Sequence, residues 1–131
     1  YTGTHDNDTT VGWWNAQAGD DSTRTAAQIE REHDFALRYL GADGREIHWS
    51  MMRAAFASVA DTALVPMQDI LGLGSEARMN LPGRQSDNWR FRFTWEQLTP
   101  DIIQRLRELT SLYERGSGAT SARQRTTHAI V

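Results

Sequence analysis

The first fourteen residues, YTGTHDNDTTVGWW, gather the imidazole of His5, the carboxylates of Asp6 and Asp8, the amide of Asn7, four threonine hydroxyls and the indoles of Trp13 and Trp14. Aromatic rings beside clustered hydroxyls and carboxylates suit a sugar: the rings cover its apolar faces and the polar groups take its hydroxyls. In glycosyl transfer the sugar ring becomes oxocarbenium-like, and a fixed carboxylate beside a neutral imidazole can hold its hydroxyls more tightly in that state than in the substrate. Asp6 and His5 are the candidates for that chemistry. The competing reading is a capped turn in which the same groups only satisfy backbone amides. Asp8 reads as the N-cap of a following helix, and Asn7 as a residue that tolerates a left-handed turn. Trp13 and Trp14 are adjacent, so on a helix at most one faces a ligand; Trp13 is the candidate, and a core position is the alternative for both.

Such a cluster needs a strand end and a turn to present it, because Asp, Asn, Thr and Gly weaken a helix interior. A Thr-Gly-Thr strand end leading into a short helix from Thr9 to about Ala18 meets that need, with Gly19, Asp20, Asp21 and Ser22 breaking the helix. A second helix is expected from about Thr25 to Leu40, with Ile29, His33, Ala36, Leu37 and Leu40 at helical spacing and Gly41 ending it. A third, from about Glu46 to Ser58, is apolar over so wide an arc that burial between neighbours is expected. Thr62 to Pro66 reads as a short apolar strand, and a buried helix followed by such a strand is half of a βαβ repeat. Met67, Gln68 and Asp69 then stand at its carboxyl end, where barrel enzymes carry their chemistry. Gln68 and Asp69 are candidates to orient the site or bind its ligand, with capping of the turn at Ile70 the other reading of Asp69. Leu81, Pro82 and Gly83 form a rigid corner, and Trp89, Phe91 and Phe93 alternate with Arg90 and Arg92 as an extended segment with one apolar face. Thr99 and Pro100 open a last helix whose stripe runs from Ile102 to Leu112 and on to Gly116. Residues 117–131 show no periodicity and are expected to form a disordered tail.

With 131 residues, 39 % of them hydrophobic and five of them Trp, the chain can supply a core. All 14 basic residues are Arg, set against 17 Asp and Glu for a net charge of -3, which offers nucleic acid no basic field. The absence of Cys excludes disulfides and thiolate metal sites. No apolar run reaches membrane-spanning length and no signal peptide is evident, so a cytoplasmic protein without membrane partners is expected. His33 and His48 sit on apolar helix faces and read as core or interface residues, and His128 falls in the tail. The chain does not start with Met and its first residue already lies in a functional motif, so a piece of a longer polypeptide is expected.

With LVPMQDILGLGSEARMNLPG from Leu64 to Gly83 and WRFRF from Trp89 to Phe93, the opening motif resembles the C-terminal part of a 4-alpha-glucanotransferase, also called amylomaltase or disproportionating enzyme. The likeness runs in register from Tyr1 to about Arg115. It implies an α/β fold in which residues 1–116 are the last, helix-rich part of a (β/α)8 TIM barrel. It also implies transfer of alpha-1,4-glucan segments between glucan chains or to glucose through a covalent glycosyl-enzyme. The implied partners are alpha-1,4-glucans and maltooligosaccharides, and no metal or organic cofactor is implied. On this resemblance Asp6 is the third carboxylate of the retaining machinery and grips the hydroxyls of the transferred sugar, with His5 beside it. Asn80 and the Pro82-Gly83 backbone form the Asn-x-Pro-Gly loop that the family places against bound glucan; a plain tight turn is the alternative. Arg84 departs from the small hydroxyl residue that commonly follows this Pro-Gly. No stretch matches the family's nucleophile or acid/base motif, and Asp69 and Glu76 lie in neither context, so the chain alone is expected to be inactive. A partial barrel exposes strand edges, which implies self-association.

Two other readings compete. His5-Asp6 and His33-Asp34 can be taken as pieces of a metal-dependent HD-type phosphohydrolase. Alternatively, the chain is a non-catalytic glucan-binding or self-associating module.

Overall fold

The computed structural model describes residues 1–19 and 24–116, so the expected tail lies outside the described residues. Among them the order is α1 (Thr10–Asn15), α2 (Ala26–Leu40), α3 (Ile47–Ala57), α4 (Met67–Ile70) and α5 (Pro100–Leu112), with single 3-10 turns at Ser75–Ala77 and Trp95–Gln97. Helix α2 starts in a capping box: Thr25 accepts from the Gln28 amide while Gln28 accepts from the Thr25 amide. It stops at Gly41, whose φ of 60° is the left-handed conformation that glycine adopts without penalty. Helix α5 has Thr99 as its cap and Pro100 at its first position, and it ends at Leu112, short of the expected Gly116.

Helix α1 differs from expectation at both ends. Its cap is Thr9, whose hydroxyl accepts from the Gly12 amide at 2.9 Å, and it closes at Asn15. Asp8 is displaced from the capping role because its carboxylate is engaged elsewhere: Oδ1 accepts from the Thr9 amide at 2.8 Å and Oδ2 from the Ser75 hydroxyl at 2.7 Å.

Helix α3 is the centre of the molecule and packs on α1, α2, α4 and α5. Its Ile47, Trp49, Met52 and Phe56 are buried, as the broad apolar arc requires. Trp49 and Met52 join Ile70 in a core covered by Val65, Met67, Leu98, Ile102, Leu106 and Leu109. Arg105 of α5 lies 4.3 Å over the Trp49 ring and makes two bonds to the Glu46 carboxylate, at 2.6 and 2.7 Å. That pairing holds Glu46 below the usual carboxylate range and raises Arg105. Beyond α5, the Arg115 guanidinium donates to the carbonyls of Phe56, Ser58 and Ala60, at and just past the end of α3.

Two segments expected to be extended depart from the sequence reading. Residues 62–66 form neither helix nor strand, and no regular strand occurs among the described residues; the Leu64 carbonyl accepts from the Thr2 amide at 3.3 Å. A strand is defined by its ladder, and one bond to a neighbouring segment does not make one. The expected α/β alternation is therefore absent from the described residues, whose regular elements are all helical. From Trp89 to Phe93 the alternation is broken at its first member: Trp89 has a φ of 63° and is exposed, whereas Phe91 and Phe93 are half-buried.

Candidate functional site

His5 and Asp6 sit in a loop between Thr2 and α1, and the loop has its own internal tie. Asn7 Oδ1 accepts from both the amide and the hydroxyl of Thr4, at 2.8 and 2.9 Å, so Asn7 closes a turn around the two residues. A second segment, residues 78–80, is bonded against it. Arg78 donates to the Asp6 carbonyl at 2.7 Å and to the Asn80 carbonyl at 2.9 Å. The Asn80 amide N–H donates to the His5 carbonyl at 3.1 Å, and its side chain donates to Asp6 Oδ1 at 2.6 Å. His5 Nε2 also lies 3.3 Å from Oδ1, with both side chains about half exposed. Both described side-chain contacts fall on Oδ1.

The corner after Asn80 folds as its residues dictate. Arg84 donates its amide to the Leu81 carbonyl at 3.2 Å around Pro82 and Gly83, with Gly83 at φ 87°. Asn88 closes the loop, accepting from the Leu81 amide and donating to the Arg84 carbonyl. Trp89 then donates its amide to the Met79 carbonyl at 2.7 Å and lays its ring 5.1 Å from that of His5.

A cleft of about 930 Å³ runs past this junction, walled by Asp6, Trp13, Glu76, Arg78, Leu81 and Arg84 among others. Of the two adjacent indoles, Trp13 reaches the cleft, while Trp14 stacks on His33 at 4.0 Å. His33 is held below the ordinary imidazole range by burial and then by Arg24, against the opposing charge of Glu32. Its Nε2 is buried with no hydrogen-bond partner, which suits a neutral ring. A smaller pocket of about 210 Å³ on the other side of the loop is lined by His5, Gln68, Asp69 and Trp89.

The structure thus brings Asp6, His5 and Asn80 into direct contact and sets Trp13 in the same cleft as Asp6. Asn80, Pro82 and Gly83 do not line that cleft; Asn80 reaches it through Asp6. Gln68 and Asp69 are buried, the first donating to the Ala77 carbonyl and the second accepting from the Thr10 amide at 2.7 Å and from the Thr2 hydroxyl. The Asp69 carboxylate does not cap the turn at Ile70. Sequence reasoning gave Arg78, Asn88 and Trp89 no part in the site. The nearest signal was their position inside or beside the two motifs already singled out.

The sequence model described as 4-alpha-glucanotransferase matches residues 1–99, a span that includes both the Asp6 loop and the Asn80 segment. This chain belongs to the 4-alpha-glucanotransferase family. It is 47 % identical over 116 residues to the 4-alpha-glucanotransferase of Synechocystis sp., covering 88 % of this chain and 21 % of that protein. The 4-alpha-glucanotransferase of Thermus thermophilus is 45 % identical over 121 residues, with 88 % of this chain and 22 % of that one covered. The amylomaltase from Streptococcus agalactiae, solved in complex with acarbose, superposes with a TM-score of 0.73 at 31 % identity, over 88 % of this chain and 21 % of its own. The chain thus spans about a fifth of the length of these 4-alpha-glucanotransferases. Family membership overturns the phosphohydrolase reading. Among the described residues, no group of three or more His, Cys, Asp or Glu is placed to hold a metal. No described helix is long and apolar enough to cross a membrane.

Proposed function

We propose that the whole protein transfers alpha-1,4-glucan segments between glucan chains, or to glucose, by a retaining mechanism, and that this chain supplies the last part of its (β/α)8 barrel. The observation that carries the reading is the junction of Asp6 with Asn80 at the edge of the Trp13 cleft, inside the span that matches the family. In this reading Asp6 accepts hydrogen bonds from hydroxyls of the reacting sugar. As the ring gains oxocarbenium character those bonds strengthen, so the carboxylate stabilises the transition state more than the substrate. Asn80 and His5 hold Oδ1, which fixes the direction of the other oxygen. The Trp13 ring offers an apolar surface for a sugar face, and the turn at Pro82-Gly83 borders the path of the glucan.

The retaining reaction also needs a nucleophilic carboxylate and an acid/base carboxylate about 5 Å apart, and in this reading both come from other parts of the polypeptide. The apolar groove between α4 and α5, about 740 Å³ and lined by Met67, Ile70, Leu98 and Leu106, is then a seat for the rest of the barrel. Self-association of the isolated chain would substitute for that contact. A cytoplasmic location is part of the same proposal.

Maltotriose disproportionation by the full-length gene product and its Asp6→Asn variant tests the reading. A large loss of kcat with little change in KM is expected. Parental turnover in the variant would sink it, as would transfer by the isolated 131-residue chain.

A further inference from the structure

We propose that Asp69 is a positioning residue for transfer: its carboxylate fixes both ends of the loop that carries His5 and Asp6. The inference rests on the reading of Asp6 given above. Asp69 is 2 % exposed and precedes Ile70, a member of the core with Trp49 and Met52. Its Oδ1 accepts from the Thr10 amide at 2.7 Å, and its Oδ2 accepts from the Thr2 hydroxyl. Thr2 is the last residue before the loop turns outward and Thr10 is the first of α1, so one buried group holds the entry and the exit.

The other ties join the loop to its neighbours. Thr4 and Asn7 bond to each other, Asp8 bonds to Ser75, and His5 and Asp6 bond to the half-buried segment at Arg78 and Asn80. The Thr2 amide also donates to the Leu64 carbonyl and α1 packs on α3, but the Asp69 carboxylate is the group that joins the two ends to each other. A carboxylate suits this position because two donors converge on its two acceptor oxygens. An amide there keeps one acceptor and turns a donor toward the second partner. The Thr2 hydroxyl can rotate to accept while the amide oxygen stays on the Thr10 N–H, so Asp69→Asn can keep both ends tied, whereas Asp69→Ala releases both. Loosening either end shifts Asp6 relative to the sugar, and a misplacement of 1 Å costs about 10²-fold in rate. Contacts along the rest of the cleft are untouched, so turnover falls while substrate binding holds.

The test uses the full-length gene product in the maltotriose assay with Asp69→Ala, Asp69→Asn, Thr2→Val, Thr2→Ser and Asp6→Asn, and the Asp6→Asn Asp69→Ala double variant. Asp69→Ala is expected to lower kcat about 10- to 100-fold with KM within about twofold, and Asp69→Asn, which can keep both contacts, to lie nearer the parent. Thr2→Val is expected to lower kcat as well, and Thr2→Ser, which keeps the hydroxyl, to restore it. In the Asp6→Asn background, Asp69→Ala is expected to cost less than about threefold more, because the two residues act as one unit. If Asp6→Asn is impaired but Asp69→Ala turns over like the parent, the proposal falls alone. It falls equally if the two losses multiply in full, or if Thr2→Ser is no better than Thr2→Val. Parental turnover in Asp6→Asn overturns the reading of the site and this proposal with it.

Discussion

Asn80 donates its side-chain amide to Asp6 Oδ1 at 2.6 Å, across 74 positions of sequence. A hydrogen bond to a charged acceptor is worth about 1.5–3 kcal/mol, so Asn80→Ala should lower kcat of the full-length protein about 10- to 100-fold if the bond sets the direction of Asp6. Asn80→Asp puts a second carboxylate beside the first, and like charges raise the pKa of one of the pair. Its activity should therefore be the lower of the two at neutral pH and recover in part on acidification. A pH–rate profile of both variants distinguishes them, and identical profiles would contradict this account.

Gly12 has no room for a side chain. A Cβ there would lie 2.5 Å from both Asp8 Oδ1 and Ser75 Oγ, the partners that tie α1 to the turn at Ser75–Ala77. Gly12→Ala should destabilise the protein by about 1–3 kcal/mol, a cost typical of overpacking, despite the better helix propensity of Ala. Urea denaturation measures it, and a neutral or stabilising result would mean that Asp8 and Ser75 part without cost.

Met52 is fully buried at the centre of α3, between Trp49 and Ile70. Met52→Ala should cost about 2–5 kcal/mol through lost burial and the cavity left behind. The midpoint of thermal unfolding should fall accordingly, whereas Met52→Leu should stay within about 1.5 kcal/mol of the parent.

His33 and His48 are both held below the ordinary imidazole value, each mainly by burial. With folded pKa values below the unfolded 6.5, the folded state favours the neutral rings. Their contribution to stability is complete above about pH 6.5 and is lost as pH falls through the lowered folded values. Stability should thus decline as pH falls below about 6.5. His33→Phe keeps a ring against Trp14 and cannot titrate, so its decline should be shallower. Denaturant midpoints at several pH values check this, and parallel curves would argue against it.

Elements whose signals are local could be read from the chain alone. The Thr25 capping box, the Gly41 stop and the Thr99-Pro100 start place α2 and α5, and the broad apolar arc of α3 foretells its central burial. Residues 62–66 read as a strand because an apolar run ending in Pro says only that the chain is extended; the ladder depends on neighbours that the run does not encode. The site was legible in its parts and not in its joints. His5, Asp6 and Asn80 were singled out, but nothing at residue 78 announces that Arg78 will bond the Asp6 carbonyl. Nor does a strand-end Asp69 announce partners at Thr2 and Thr10. The cap of α1 falls on Thr9 and not on Asp8 because Ser75, far along the chain, engages the Asp8 carboxylate.

The reach of Arg115 bears on where this unit can be cut. The family match stops at residue 99, yet α5 follows it and covers the core, and the guanidinium beyond α5 closes the carbonyl end of α3. A recombinant truncation drawn at residue 99 would strip a helix from Trp49 and Met52 and leave the Phe56, Ser58 and Ala60 carbonyls without the Arg115 guanidinium. The boundary that matters for expression and for domain grafting is set by Arg115, so a shortened version should end after it.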